Sequence, residues 1–221
     1  MDINHLILQE TARRDIYKGL SACYYIPEMG LVTRLEKMER QLAFLGSTAL
    51  ASAFLMQNEL QHIENLAMLK REFARLFIGP YHLPAPPYGS IYLDGNRKIM
   101  GNSTIDVRRR YIEGGLSLAD TFKDAPDHIA AELEFMYVAI FNELKAIQSD
   151  EAETVYGHLY RQKSFLQDHI GAWVAEFSDR VLRHAELGFY RHLADVTHKF
   201  IIEELEAMGQ LEIPEPMENA G

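Results

Sequence analysis

The chain has 221 residues, of which 48% are apolar and 24% are charged, and its formal net charge at pH 7 is −10. This composition is sufficient for a domain with a hydrophobic core and excludes a disordered chain. The acidic surface repels a phosphate backbone and so argues against nucleic acid as a partner, and no stretch approaches 18 uninterrupted apolar residues, so we expect no membrane span.

Proline and glycine divide the chain into two halves joined by a long loop. Residues 1–78 and 104–210 hold one proline each, whereas residues 79–103 hold four prolines and four glycines. Apolar residues recur at helical spacing in both halves, and the alternation typical of strands is scarce. Helices are predicted, in chain order, at about 4–25, 31–45, 49–78 with one break allowed, 104–115, 126–148, 152–168, 169–182 and 185–209.

We therefore predict an all-α, single-domain helical bundle over residues 1–210. The loop 79–103 crosses its surface, and its apolar and aromatic groups can dock on the helices: Tyr81, Leu83, Tyr88, Ile91 and Tyr92. Such a loop is either a binding surface or a plain connector, and composition does not separate these alternatives. Residues 211–221 are predicted to form an acidic, flexible tail that aids solubility.

Residues that could hold a metal or act as nucleophiles are poorly arranged. Glu59 and His62 have the Glu-x-x-His spacing of di-iron helical bundles, but such a site needs a second copy of this motif, and the sequence has none. The single cysteine, Cys23, excludes a four-cysteine cluster and fits a reducing, cytoplasmic environment. There is also no Gly-x-Ser-x-Gly elbow and no phosphate-binding glycine loop. We predict no catalytic residue, no metal and no cofactor.

The richest polar cluster lies at the predicted start of the helix over 126–148. Pro126 suits the first turn of a helix, and Asp127 complements the positive end of its dipole. His128 and Glu132 are four residues apart and can meet on one helix face. This pattern is explained either by a well-formed helix start or by a small acidic pocket that binds a cationic or peptide group.

Two longer motifs carry a resemblance to a known family. Residues 73–80 read FARLFIGP and are followed at 86–92 by PPYGSIY, and residues 126–136 read PDHIAAELEFM. A weaker match runs from Phe165 to the Phe189-Tyr190 pair. Together these segments resemble the TorD/DmsD family of cytoplasmic chaperones, which mature molybdenum-containing redox enzymes.

The resemblance implies an all-helical, non-enzymatic protein. Its partner would be a molybdoenzyme precursor, whose twin-arginine (Tat) signal peptide it would bind, holding the precursor from export during cofactor insertion and folding. The resemblance implies a peptide-binding surface made of Asp127, His128, Phe77, Gly79, Pro80, Pro87, Tyr88 and Ser90. Tyr88 stands where some relatives have tryptophan. The client enzyme, a bound cofactor or nucleotide and the oligomeric state are not specified by the sequence.

Two other classes of function remain open at the level of sequence. One is a helical metal- or nucleotide-dependent enzyme that uses Glu59 and His62. The other is a general adaptor that binds folded partners through the acidic tail.

Overall fold

The computed structural model describes residues 2–63, 66–80, 82–95, 99–119 and 122–213. Within these ranges the chain is helical and contains no strand, which confirms the predicted all-α fold. The helices are α1 (Ile3–Cys23), α2 (Leu31–Leu45), α3 (Leu50–Gln61), α4 (Leu66–Phe73), α5 (Gly89–Leu93), α6 (Asn102–Glu113), α7 (Ile129–Gln148), α8 (Ala152–Asp168), α9 (Ile170–His184) and α10 (Gly188–Gln210). No helix in the described part of the chain has the length and apolar character needed to cross a bilayer.

Helices α1 and α7 form the centre of the bundle and pack along each other. Leu20 of α1 and both Leu133 and Met136 of α7 are fully buried, as the apolar spacing of α7 predicts. The Ser21 hydroxyl donates to the carbonyl of Ala130 at 2.9 Å and ties the end of α1 to the start of α7. Helix α2 covers α1, α8 covers α7, and α10 packs on α3 and α9.

A layer of aromatic side chains fills the space where α1 ends. Tyr24 contacts the rings of Phe77 and Phe177, with centroids 6.0 and 5.6 Å apart. Phe77 also contacts Phe73 and Tyr190, at 5.2 and 5.9 Å. Aromatic rings of this size bury a large apolar area and pack edge to face. They give the two motif segments a rigid base.

A buried cluster of charges connects four helices at another place in the core. Arg13 of α1 donates three hydrogen bonds to the Glu204 carboxylate, at 2.7 to 3.1 Å, and also pairs with Glu10. Gln162 donates to Glu143 at 2.6 Å. Burial, followed by the negative charge of Glu10, raises the pKa of Glu143 to about 7. This cluster fixes the relative position of α1 and α10, since an unpaired Arg13 would be costly here.

The predicted helices are largely confirmed, but two predictions are wrong. The loop 79–103 was predicted without helix, yet it contains the short α5 and the first residues of α6. The helix predicted from 126 begins at Ile129, so Pro126 is not in its first turn. The formation of α5 and the late start of α7 have one cause, hydrogen bonds between distant parts of the chain that are described below. Helix α6 begins early because the amide of Ser103 donates to the Asp94 carboxylate.

The helix predicted over 49–78 has the break that was allowed. It is divided into α3 and α4, and α4 continues as a π-helical turn over Ala74–Ile78.

In the acidic tail, residues 211–213 follow α10 without helix, and the remaining predicted tail, 214–221, lies outside the described residues.

Candidate functional site

The motif around Tyr88 and the motif around His128 lie side by side. The amide of Ile129 donates to the carbonyl of Pro87 at 2.9 Å, and Tyr88 and His128 form an isolated antiparallel bridge. This pairing places the two rings edge to face, with centroids 5.3 Å apart. The structure therefore brings together the two segments that the sequence singled out.

Asp127 lies beneath this pair and joins it to α5. Its side chain is fully buried, and its Oδ2 accepts a hydrogen bond from the amide of Ser90 at 2.7 Å. Its backbone carbonyl accepts from the amide of Gly89 at 2.9 Å. The carboxylate thus accepts a hydrogen bond from an amide in the first turn of α5, a helix of five residues. The sequence had suggested instead that Asp127 stabilises the start of α7. Oδ1 of Asp127 and the buried Ser90 hydroxyl have no partner in the described structure.

His128 is the N-cap residue of α7. Its Nδ1 accepts from the amide of Ala130 at 3.1 Å, so the neutral ring carries its proton on Nε2. Burial lowers the pKa of His128 to about 4, and the ring is neutral at physiological pH. The imidazole contacts the rings of Tyr88 and Phe122, and its Nε2–H has no hydrogen-bond partner in the described residues.

Glu132 does not pair with His128, although the spacing allowed it. Its carboxyl is fully buried, and Oε2 accepts from Nε1 of Trp173 at 3.0 Å. Burial raises the pKa of Glu132 well above its ordinary value, which favours the neutral acid. A Cβ at Gly89 would lie 3.0 Å from Trp173 Nε1 and 3.1 Å from Glu132 Oε1. The glycine at this position therefore permits α5 to approach α7 and α9 closely.

The other predicted residues differ in exposure. Phe77 is buried on the π-helical turn, a type of turn that is frequent at functional sites. Gly79 ends that turn with φ 87° and ψ −169°, a conformation that essentially only glycine adopts. Pro87 is buried and Pro80 is exposed. The predicted set is therefore partly a surface and partly the support beneath it.

A cavity of about 330 Å³ opens beside the paired motifs, and we call it the motif cavity. Its lining includes Phe77, Tyr88 and His128 of the predicted set, together with Asp124. The hydroxyl of Tyr88 donates to Asp124 Oδ1 at 2.9 Å. Asp124 is exposed, so its carboxylate is available to a ligand. In the described lining His128 is neutral, which leaves Asp124 as the single charge.

Tyr25 separates the motif cavity from two others. The α6-side cavity, of about 390 Å³, is lined by Tyr25, Tyr111, Leu116, Ser117, Leu118, Ala119, Phe122, Ala131, Glu134, Phe135 and Val138. Glu134 is the single charged residue of that described lining and is exposed. The α2-side cavity, of about 640 Å³, also contains Tyr25 and Glu134, and its lining adds the cations Lys18, Arg34 and Lys37 and the acids Asp15 and Glu28.

Exposed apolar side chains continue the motif cavity across the surface. Ile26, Ile78 and Ile99 belong to its lining, and each exposes about half of its surface. Single exposed apolar residues are ordinary, but a group of them around a cavity is typical of a binding site. The arrangement combines apolar and aromatic contacts with a carboxylate, which suits a ligand that is both cationic and apolar.

The residues considered for a metal site do not come together. His62 is the exposed C-cap of α3, and Glu59 lies against Gly188 at the start of α10. No group of three or more His, Cys, Asp or Glu side chains in the described ranges is placed to hold a metal ion. Cys23 is buried, and burial raises the pKa of its thiol to about 12, so it is a poor nucleophile.

Sequence reasoning missed Tyr25, Asp124 and Glu134. Tyr25 follows the last residues of α1, and the region before residue 70 showed no recognisable motif. Asp124 precedes the PDH motif by two residues, and Glu134 lies within that motif as one of several glutamates. Their spacing in the sequence does not indicate a site, because only the fold places them in two cavities that share Tyr25.

Over the residues that the structure describes, the fold is all-helical, and cavities open beside the two motif segments. The family model described as nitrate reductase delta subunit matches residues 38–179. Because that match covers more than half of the chain, the protein belongs to this family. The TorD/DmsD resemblance is confirmed by the curated relatives of the same chain.

Two of those relatives show the degree of similarity. The Tat proofreading chaperone DmsD of Salmonella paratyphi A is 30% identical over 128 residues, which is 58% of this chain and 56% of the relative. The chaperone protein TorD of Vibrio parahaemolyticus is 24% identical over 132 residues, 60% of each chain. The chain thus aligns with little more than half the length of these relatives.

A solved structure shows the same fold. The crystal structure of an Archaeoglobus fulgidus protein assigned as a redox enzyme maturation protein superposes with a TM-score of 0.55. The match covers 86% of this chain and 93% of the archaeal chain, at 23% sequence identity. It supports the helical architecture described above.

Proposed function

We propose that the protein is a non-enzymatic cytoplasmic chaperone for a molybdoenzyme precursor. It binds the Tat signal peptide of the precursor and holds the precursor from export while the cofactor is inserted and the enzyme folds. The names of the relatives support this activity, since they include a Tat proofreading chaperone. The observation that carries the proposal is the motif cavity, because it lies beside the two segments on which the family resemblance rests.

The chemistry of the cavity fits a signal peptide. Such a peptide presents arginine side chains followed by an apolar segment. Phe77 and Tyr88 offer aromatic faces, Asp124 offers a carboxylate, and the Nε2–H of His128 can donate to a peptide carbonyl. Guanidinium groups pair with carboxylates and stack on aromatic rings. The net charge of −10 also accelerates the encounter with a basic peptide.

The eight predicted residues have two roles in this proposal. Phe77, Tyr88 and His128 contact the peptide from the cavity wall, and the exposed Pro80 with the neighbouring Gly79 forms part of the entrance. Asp127 and Ser90 are fully buried, and Pro87 is buried too. These three position the wall. Asp127 does so by its hydrogen bond to α5.

Calorimetric titration with two peptides tests the proposal. One peptide carries the paired arginines and the apolar segment, and the other carries alanines in place of both arginines. We expect the alanine peptide to bind at least tenfold more weakly, a difference of about 1.4 kcal/mol. Exposed ion pairs contribute only about 0 to 1 kcal/mol each, so a loss well above about 2 kcal/mol for the two arginines would require partly desolvated sites. Equal affinities, or no binding of either peptide, would contradict the proposal.

A further inference from the structure

Tyr25 lines two cavities, and each of them contains one exposed carboxylate. The hydroxyl of Tyr25 donates to Glu134 Oε2 at 3.3 Å. Burial, then the charge of Glu134 and, more weakly, that of Asp124, raise the pKa of Tyr25 to about 12, so both carboxylates act on this one group. Asp124 belongs to the motif cavity and Glu134 to the α6-side cavity, and Tyr25 lines both.

We propose that Asp124 and Glu134 each receive one guanidinium of a consecutive arginine pair, with the peptide backbone crossing Tyr25. This assignment rests on the proposed function and adds to it the residues that distinguish two arginines from one. Each of the two cavities contains one carboxylate and several aromatic rings, so each is built for one cationic side chain.

The geometry of an extended peptide agrees with this division. Consecutive side chains of an extended chain point to opposite sides, so two adjacent arginines cannot both enter one cavity. Two cavities on either side of a shared tyrosine accept them without bending the backbone. His128 lines the motif cavity, and its Nδ1 accepts from the amide of Ala130, so its remaining proton on Nε2 is the one that a peptide carbonyl could accept.

The aromatic linings favour arginine over a simple point charge. Tyr111, Phe122 and Phe135 line the α6-side cavity, and Tyr24, Phe77 and Tyr88 line the motif cavity. A guanidinium stacks on such rings while it forms two parallel hydrogen bonds with a carboxylate. We place the second arginine in the α6-side cavity because Glu134 is the single charge of its described lining. In the α2-side cavity three cations, Lys18, Arg34 and Lys37, offset the acidic residues Asp15, Glu28 and Glu134, so that cavity attracts a guanidinium less.

Both carboxylates are free to accept an arginine. Tyr88 occupies one oxygen of Asp124 and Tyr25 one oxygen of Glu134, which fixes each group and leaves its other oxygen without a hydrogen bond in the described structure. Lys18 and Arg34 share the α2-side cavity with Glu134, yet neither forms an ion pair with it in the described part of the chain.

The test crosses protein variants with peptide variants in calorimetric titrations at 0.15 M salt. The proteins are the wild type, Asp124→Asn, Glu134→Gln and the double variant. The peptides carry two arginines, alanine at the first position only, alanine at the second only, or alanine at both. We expect each single variant to bind the two-arginine peptide about tenfold more weakly than the wild type does. We also expect the affinity of each single variant to be unaffected when the arginine that its missing carboxylate would bind is replaced by alanine. That arginine should be one of the pair for Asp124→Asn and the other for Glu134→Gln.

A matched control removes a charge elsewhere. Glu206→Gln changes an exposed glutamate of α10 that lines none of the three cavities and should retain wild-type affinity. The substitutions are isosteric and exposed, and melting curves of all variants verify that they fold. If Glu206→Gln lost as much affinity for the two-arginine peptide as the two site variants, the loss would be due to net charge, and the assignment of Asp124 and Glu134 would be wrong.

The outcomes separate this inference from the proposed function. If the wild type does not distinguish the two-arginine peptide from the double-alanine peptide, the proposed function fails. If the wild type does distinguish them but Asp124→Asn and Glu134→Gln bind like the wild type, only the assignment fails. It also fails if both variants couple to the same arginine.

Discussion

Replacing Asp127 with asparagine separates a structural role from a direct contact with the peptide. The Asp127 carboxylate is fully buried and accepts the 2.7 Å hydrogen bond from the amide of Ser90. Hydrogen bonds to a charged group contribute about 1.5–3 kcal/mol and those between neutral groups about 0.5–1.5 kcal/mol. Asparagine keeps a carbonyl oxygen for Ser90 but not the charge, so we expect a loss of about 1 kcal/mol. In a domain of this size that lowers the melting midpoint by about 2–4 °C.

The assay combines a thermal melt with a peptide titration well below the midpoint. Asp127→Asn should melt earlier and bind the two-arginine peptide with wild-type affinity, because the peptide does not reach the buried carboxylate. Asp150→Asn is the control, since Asp150 is exposed, has φ 57° and should tolerate asparagine without a change in midpoint. A tenfold weaker affinity with an unchanged midpoint would show that Asp127 contacts the peptide and would refute this reasoning.

Two further predictions concern pH. Glu143→Gln should become more stable relative to the wild type as the pH rises from 4.5 to 7, by about 3 kcal/mol. In this range the Glu143 carboxyl stays protonated in the folded state, where its pKa is about 7, but ionises in the unfolded state, where its pKa is the ordinary 4.5. The wild type therefore loses about 1.4 kcal/mol of stability per pH unit. Urea unfolding at pH 4.5 and 7.5 measures this gain, with the exposed Glu153→Gln as control, and a gap independent of pH would contradict it. Peptide affinity should be constant between pH 6 and 8, because the lowered pKa of His128, about 4, keeps this ring uncharged there. A transition near pH 6.5 in the titrations, absent in His128→Gln, would contradict this prediction.

The helices could be predicted from sequence because their determinants are local. Apolar residues at helical spacing identify α7 and its neighbours whatever the rest of the chain does. The short α5 and the start of α7 could not be predicted in the same way. At the start of α5 the amide of Ser90 donates to the Asp127 carboxylate, and at the start of α7 the amide of Ile129 donates to the carbonyl of Pro87. In both hydrogen bonds the two partners are distant in sequence. Helix propensities depend on residues that are close in sequence, so they do not predict such contacts.

The candidate site was predictable only where its residues belong to motifs. The PPYGSIY and PDH segments directed attention to Tyr88 and His128, which line the motif cavity. They did not distinguish buried residues from exposed ones, so Asp127 appeared to be a binding group. Asp124 and Glu134 were missed, because an exposed acidic residue on a chain of charge −10 has no distinctive pattern.

Burial divides the site into a frame and a contact surface with different physical requirements. Gly89, Ser90, Asp127 and Glu132 are buried and closely packed, and Asp127 and Glu132 each accept one hydrogen bond that ties α5, α7 and α9 together, so each of the four has few acceptable replacements. The exposed groups around Tyr25 tolerate replacement without loss of the fold, since surface changes usually cost less than 0.5 kcal/mol. Under the proposed function, the buried frame is kept for peptide binding, while the exposed carboxylates and the apolar rim determine which client is selected. Variants of the frame should therefore alter stability first, and variants of the rim should alter affinity first.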